Sequence, residues 1–434
     1  MNAIFLKKII TFSQVENDSK GMSHSKILKN TVWLIFDKLV KVVSGLVGVV
    51  LVANYLGPED YGKIQYLLGV LSIVIATSSL GMKEIVVREF VRVGDKGVII
   101  NAIFVRLISS VGLYLILLSY VYLASNVDII FILLSSVLIL KANEPIKYYF
   151  EAITSYRKIV ILESVTLVIG GCFKIFFIQY EYGITYIILA ILLESALVFI
   201  FLINVFYKYI STRFFRYINL NISLKLILDS WPLLLSSVLI TLSINIDKIF
   251  INHLSGLIDV GVYSVSTQIY FLMQSFIVAY EVSSYPKAFE YRKKMDAINF
   301  IGVIYSHIFK LQIGLVILWF FIGIHVFDYL YSEDYSDAKN ILSMILCLSL
   351  SVVFFRAYDV YMKSVNKQKK VLYRQLFIVL LNMPLNYFLI PIYGNYGAVV
   401  ATFLPFLILL PYALFVDKDA KELRVMFYRI YLKV

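Results

Sequence analysis

The sequence predicts an all-α integral membrane protein of about twelve transmembrane helices in two parallel-related six-helix bundles. Three observations lead there. Of its 434 residues 60% are hydrophobic and 16% charged, against about 25% charged in an ordinary soluble chain. Apolar runs recur from Val32 to Tyr412, each long enough to cross about 30 Å of hydrocarbon as a helix. One markedly polar connection, holding Lys208, Arg213, Arg216 and Lys225, leaves six such runs on either side.

In chain order the spans are expected at 32–55, 64–81, 98–124, 129–148, 159–180 and 184–207, then 228–254, 263–285, 299–327, 340–361, 371–392 and 396–416. The units that follow are an N-terminal tail over 1–31, a bundle over 32–207, a linker over 208–227, a second bundle over 228–416 and a tail over 417–434. The run from Met1 to Ile10 is short, is interrupted by Lys7 and Lys8, and has no small-residue cleavage site after it. No signal peptide is expected.

Basic residues gather in the even-numbered connections: Lys83, Arg88, Arg92 and Lys96, then Arg157 and Lys158, then Arg292, Lys293 and Lys294, then Lys367, Lys369 and Lys370. The odd-numbered ones carry Glu59, Asp60, Asp128, Glu181, Asp259, Asp328, Glu333 and Asp334. Positive charge stays on the cytoplasmic side, so both termini are expected there. The same asymmetry accounts for the net charge of +12 without a nucleic-acid partner.

Six spans per half make the second half re-enter the membrane in the same direction as the first, so an internal repeat must be parallel. Asn54, Leu56 and Gly62 echo Asn252, Leu254 and Gly261. Ser155 and Lys158 echo Ser364 and Lys367, and Tyr182 with Gly183 echoes Tyr396 with Gly397.

Cys172 and Cys347 lie in apolar runs outside any CxxC spacing. The four histidines show no metal-ligand spacing, and no phosphate-binding glycine loop is present. No cofactor or metal is expected, and direct ATP use is not.

Several stretches carry a family likeness in order and spacing. Leu56-Gly57-Pro58-Glu59-Asp60-Tyr61-Gly62 follows the first span, Ser230-Trp231-Pro232 opens the seventh, Ile246-Asp247-Lys248 lies within it, and Gly261-Val262-Tyr263-Ser264 follows. Near the end come Asn386, Ile390-Pro391, Tyr393-Gly394, Gly397-Ala398 and Ala401-Thr402. Through these the chain resembles the polysaccharide-export branch of the multidrug/oligosaccharidyl-lipid/polysaccharide superfamily, especially the O-antigen (Wzx-type) flippases. Asn54 stands where relatives often have a basic residue, so a cationic role there is not carried over. The resemblance implies a V-shaped pair of bundles around a central cavity working by alternating access. The implied cargo is an undecaprenyl-diphosphate-linked oligosaccharide, moved from the cytoplasmic to the outer leaflet of a bacterial inner membrane. Implied partners are membrane lipid, H⁺ or Na⁺, and polysaccharide polymerase and chain-length proteins. Within the loop motif, Gly57-Pro58 stops the first helix and Gly62 is expected to serve a tight re-entry.

Charges inside the spans mark cavities, pairs or pathways, because each costs about 2.5–3.5 kcal/mol at a helix centre. At about 1.5 Å per residue, Arg106 lies about 12 Å inside the third span and Lys310 about 16 Å inside the ninth. Lys174 and Lys248 lie nearer the outer ends of the fifth and seventh. These four basic residues are expected either to form a cationic substrate cavity or to pair with Glu194 or Asp247. Such a cavity suits a diphosphate, which cannot enter hydrocarbon unneutralised, and Arg and Lys both bind phosphate. Asp37, Glu194 and Asp247 are the candidates for ion coupling. Asp37 with Lys41, and Arg356 with Asp359, read as pairs along one helix.

Two other classes compete. A multidrug antiporter of the same superfamily calls for acid-rich rather than base-rich deep positions. A membrane enzyme of glycan assembly, a polymerase or glycosyltransferase, calls for a catalytic constellation in a sizeable outer loop, and no loop is long enough.

Overall fold

The computed structural model describes residues 24–123, 129–153, 157–209, 217–290, 294–417 and 419–432, with side chains from Gly45 onward apart from 46, 47, 209, 282–290, 294 and 420. Among the described residues every regular element is helical, as hydrocarbon demands of a backbone that must satisfy its own hydrogen bonds.

Helix α1, His24–Ser78, holds the first two spans. They meet at Gly57, whose φ of 72° and ψ of 171° break the helix. Only glycine takes that conformation freely, and Pro58 then starts the second span without sacrificing a bonded N–H. A short amphipathic helix, α2, Lys83–Val93, buries Ile85, Val86 and Phe90 and leaves Arg88 and Arg92 exposed. The third span is α3, Gly97–Leu123. The fourth is broken into α4, Ile129–Ser135, α5, Val137–Leu140, and α6, Pro145–Ala152, with a turn at 141–144 between the last two. Pro145 has no N–H to carry the helical ladder across that turn. Helices α7, Arg157–Gln179, and α8, Ile184–Tyr209, complete the first half.

The second half begins with α9, Leu220–Leu254, and α10, Leu257–Glu290. The ninth span joins α11, Lys294–Leu318, to α12, Ile324–Leu330, through a π-helical turn, and the tenth joins α13, Ser336–Ser349, to α14, Val353–Ser364. Helices α15, Gln368–Tyr393, and α16, Asn395–Pro411, finish the set. Eleven segments of the described residues are long and apolar enough to cross a membrane, and the first of them, Gly48–Val93, contains the Gly57 bend between the first two expected spans. The chain is thus an all-α membrane protein of about twelve helices.

The segment read as a tail after residue 417 contains a further helix, α17, Ala420–Tyr431, which buries Leu423, Met426 and Ile430 in the second half. Lys367 and Lys370 hold Asp417 and Asp419 at its start, at 2.5 to 2.9 Å. At its far end the Tyr431 hydroxyl accepts from Phe354 N–H at 3.1 Å and donates to Leu350 C=O at 3.0 Å, closing the break between α13 and α14.

The cores show how the halves meet. One cluster joins them at the Gly57 end, with Tyr61, Ile64 and Leu71 packed alongside Val260, Tyr263 and Tyr335. Toward the opposite end the packing divides into two clusters. One takes residues from α2, α3, α6, α7, α8 and the start of α9, the other from α10, α11, α14, α15 and α17. The halves therefore share one core at the Gly57 end and keep separate cores at the other, where the start of α9 still packs on the first half.

Two glycines make the closed end possible. A β-carbon on Gly62 would lie 1.9 Å from the Leu257 carbonyl oxygen, and one on Gly261 would lie 2.1 Å from that of Pro58. Gly62 has no positive φ, so its role is close approach between helices and not the tight turn expected from its place in the loop motif. Asn54, the position that departs from the family pattern, donates to Leu330 C=O at 2.6 Å and accepts from Ser332 N–H at 3.1 Å, tying the first span to the ninth–tenth connection.

Candidate functional site

Where the halves part there is a cavity of about 990 Å³. One wall is the first half: Lys83, Glu84, Arg106, Lys141, Glu144, Lys147, Tyr148, Glu151 and Glu163. The other is the second half, with Ser236, Ser237 and Thr241 on α9, Lys363 on α14, and Gln368 and Gln375 on α15. The broken fourth span supplies the charged wall. A backbone turn at membrane depth is tolerated where it lines a cavity, and this one carries Lys141 and Glu144.

Most of those charges are paired. Arg106 Nη2 lies 2.5 Å from Glu144 Oε2, and its Nη1 donates to the Tyr148 hydroxyl at 3.1 Å. Lys147 meets Glu163 at 2.6 Å and Lys83 meets Glu151 at 3.1 Å. Lys141 and Lys363 stand on opposite walls, and neither forms an ion pair among the described residues. The cavity therefore holds five basic and four acidic side chains; Lys141, Lys363 and Glu84 are outside the three pairs, which leaves an excess of one positive charge.

The residues singled out from sequence fall in different places. Arg106 is 1% exposed and lines this cavity. Lys174 pairs with Glu194 at 2.7 Å in a second cavity, of about 750 Å³, among α1, α7 and α8. Lys248 is buried, its Cδ 3.5 Å from where a β-carbon on Gly69 would stand. Lys310 is exposed on α11 and lines none of the cavities described here. The side chains of Asp37 and Lys41 lie outside the described residues. Lys141, Glu144, Lys147 and Glu163 were not singled out, although a K-x-x-E-x-x-K spacing inside an apolar run was there to be read. Arg356 and Asp359 do not pair with each other as expected: Arg356 binds Glu281, and Asp359 binds Arg374 at 2.6 Å. Both partners come from neighbouring helices, which spacing along one helix cannot reveal.

Asp247 occupies a site of its own. It is 2% exposed and lines a cavity of about 300 Å³ in the second half. Its Oδ1 accepts from Asn386 Nδ2 at 2.7 Å and from Asn382 Nδ2 at 3.3 Å. Its Oδ2 accepts from Thr402 Oγ1 at 2.5 Å and Tyr263 OH at 2.8 Å. Asn386 Oδ1 is buried beside it without a donor. The carboxylate, the two hydroxyl oxygens and the unsatisfied Asn386 Oδ1 are the oxygens a hard cation would use here, once the hydroxyl and amide hydrogens turn away. Among the described residues no three His, Cys, Asp or Glu side chains gather as a metal cluster would require.

A family profile of polysaccharide biosynthesis proteins matches residues 27–292. No curated protein sequence matches. Among solved structures, the fold is similar to a lipid II flippase, MurJ, in an inward closed conformation, with a TM-score of 0.65 at 15% identity over 92% of this chain and 90% of that one. It is also similar to an inward-facing multidrug resistance MATE family transporter of the MOP superfamily, with a TM-score of 0.63 at 15% identity over 91% and 96%. A MOP superfamily transporter from Pyrococcus furiosus gives 0.61 at 15% identity over 93% and 96%. At such identities the likeness is one of fold.

Proposed function

The chain belongs to the polysaccharide biosynthesis protein family, and from that premise we propose that it moves an undecaprenyl-diphosphate-linked oligosaccharide from the cytoplasmic to the outer leaflet of a bacterial inner membrane. Both termini are cytoplasmic in this reading, and the cavity faces the side on which the cargo is made. The observation that carries it is the cavity lined by both halves, with Lys141 and Lys363 unpaired on opposite walls.

A diphosphate loses several kcal/mol of hydration per ion on entering hydrocarbon. A water-filled cavity with free ammonium groups on either wall removes most of that cost. The ammonium of Lys is a compact charge that can follow a moving phosphate, while Ser236, Ser237, Thr241, Gln368 and Gln375 offer hydrogen bonds to sugar hydroxyls. The apolar tail stays in the bilayer. Release requires the two separate clusters to close together and the Gly62–Gly261 contact to part. A cation or proton at Asp247, bound in one state and released in the other, supplies the driving force.

The test is complementation of a strain lacking its own O-antigen flippase, scored by surface glycan, with Lys141→Ala and Lys363→Ala alongside wild type. Failure of the wild-type chain to restore glycan in strains with several different repeat units would refute the reading. The four carboxylates of the same cavity favour one second reading, export of organic cations, and restored drug resistance in a sensitive host without restored glycan would select it.

A further inference from the structure

Three acid–base pairs of the first half lie along one run of cavities. Arg106–Glu144 and Lys147–Glu163 line the central cavity. Glu144, Lys147 and Glu163 also line a smaller cavity of about 270 Å³ behind it, which Glu194 reaches from α8. Glu194 in turn lines the cavity of about 750 Å³ together with its partner Lys174. At about 1.5 Å per residue, Glu163 stands about 9 Å from the start of α7 and Lys174 about 8 Å from its other end. Glu194 stands about 15 Å into α8. The series therefore runs from the open cavity to beyond the middle of the membrane.

We propose that this series is a proton route, with Glu194 as the mid-membrane group that takes up and gives back a proton in each transport cycle. The inference rests on reading the protein as an ion-coupled exporter and names the ion used by the first half. Three features support it. Gly170 clears space for the carboxyl: a β-carbon there would fall 2.0 Å from Glu194 Cγ and 2.1 Å from its Oε1. The small cavity, at about 270 Å³, has room for several waters at about 30 Å³ each between Glu163 and Glu194. Each carboxylate is already held by a basic side chain at 2.5 to 2.7 Å, so a metal ion would have to displace an ammonium or guanidinium, whereas a proton does not.

The step balances simply. Hydronium in the cavity gives up a proton, an O–H bond forms on Glu194, water remains, and Lys174 stays an ammonium beside a neutral acid. Release is the reverse. The charged groups facing Glu194 are Lys174 from α7, Glu163 from the same helix, and Lys141, Glu144 and Lys147 from the fourth span. Tyr61 and Gln65 from α1, Cys172 from α7 and Gln268 from α10 line the same cavity.

Dicyclohexylcarbodiimide, which reacts with protonated carboxyl groups in apolar surroundings, reads this directly. The full chain in proteoliposomes is treated from acidic to alkaline pH and the adduct located by peptide mass spectrometry. The expected result is an adduct on Glu194 that declines as pH rises and is absent in Glu194→Gln, a variant that also loses glycan export. An unlabelled Glu194 throughout, or labelling indifferent to pH, overturns the proposal. The adduct forms whatever the cargo is. A chain that labels with this pH dependence but restores no glycan refutes the cargo reading and leaves the proton route standing.

Discussion

Gly62 and Gly261 stand in the same relation to each other's half, each bare of a side chain where the opposite half lays down a backbone carbonyl, Leu257 against one and Pro58 against the other. Backbone cannot yield as a flexible side chain can. Gly62→Ala and Gly261→Ala should each disfavour the closed end by about 1–3 kcal/mol, as overpacking typically does, which is about a 5- to 150-fold shift between states. A cysteine placed at Tyr61 should then react faster with a membrane-impermeant thiol reagent added from outside. Equal reactivity in wild type and both variants would mean that the contact does not govern closure.

Arg106 and Glu144 form a pair in which only the acid reaches cavity water. Arg106→Ala leaves a carboxylate without its partner, and breaking a buried pair costs about 3–5 kcal/mol. Water around Glu144 puts the loss at the low end. Membrane abundance of Arg106→Ala should fall, and Glu144→Gln in the same chain should restore it, as a quantitative immunoblot will read.

Lys141 has no such partner to strand. Lys141→Ala should leave abundance unchanged and weaken cargo capture by the worth of one charge-assisted hydrogen bond, about 1.5–3 kcal/mol, or about 10- to 150-fold. Export kinetics at limiting cargo are the measurement, and unchanged kinetics would remove Lys141 from the headgroup site.

The Asp247 carboxylate, with the unsatisfied Asn386 Oδ1 beside it, should bind a cation more tightly in the folded protein than any unfolded chain can. The thermal midpoint of the wild type should rise with sodium relative to choline, by about 2.7 kcal/mol of stability at a hundredfold excess over Kd, and Asp247→Asn should not respond. A wild-type midpoint indifferent to sodium, lithium and potassium leaves the site no metal to hold.

Asp419 lies outside the spans. Burial would raise its carboxyl, but hydrogen bonds from Lys367 and Lys370 outweigh that and hold it below the usual carboxylate range. A carboxylate depressed in the folded state stabilises above its unfolded value of about 3.9 and loses that contribution as pH falls through the folded value. Docking of α17 should therefore persist at neutral and mildly acidic pH and weaken only in strong acid. Hydrogen exchange across α17 tests this, with Asp419→Asn expected to exchange faster at neutral pH.

The spans were legible because hydrocarbon thickness imposes one length and one composition on every crossing, so Val32 to Tyr412 could be divided by counting. Pairing was not legible. Arg356 looked complete beside Asp359, yet it turns to Glu281, because helix packing decides which faces meet. Lys141 is illegible for a related reason: its importance comes from a turn that interrupts the fourth span, and only the fold shows that this turn faces a cavity. Gly62 was visible as a motif residue, but its reason lies across the interface.

The three acid–base pairs of the first half have a consequence for how the chain is made. Arg106–Glu144 joins the third span to the fourth, Lys147–Glu163 the fourth to the fifth, and Lys174–Glu194 the fifth to the sixth. Each charge thus meets its counter-charge in the very next segment to leave the ribosome. Insertion of these spans can proceed hairpin by hairpin, and none of these six ions has to wait in lipid for a partner still to be synthesised far downstream.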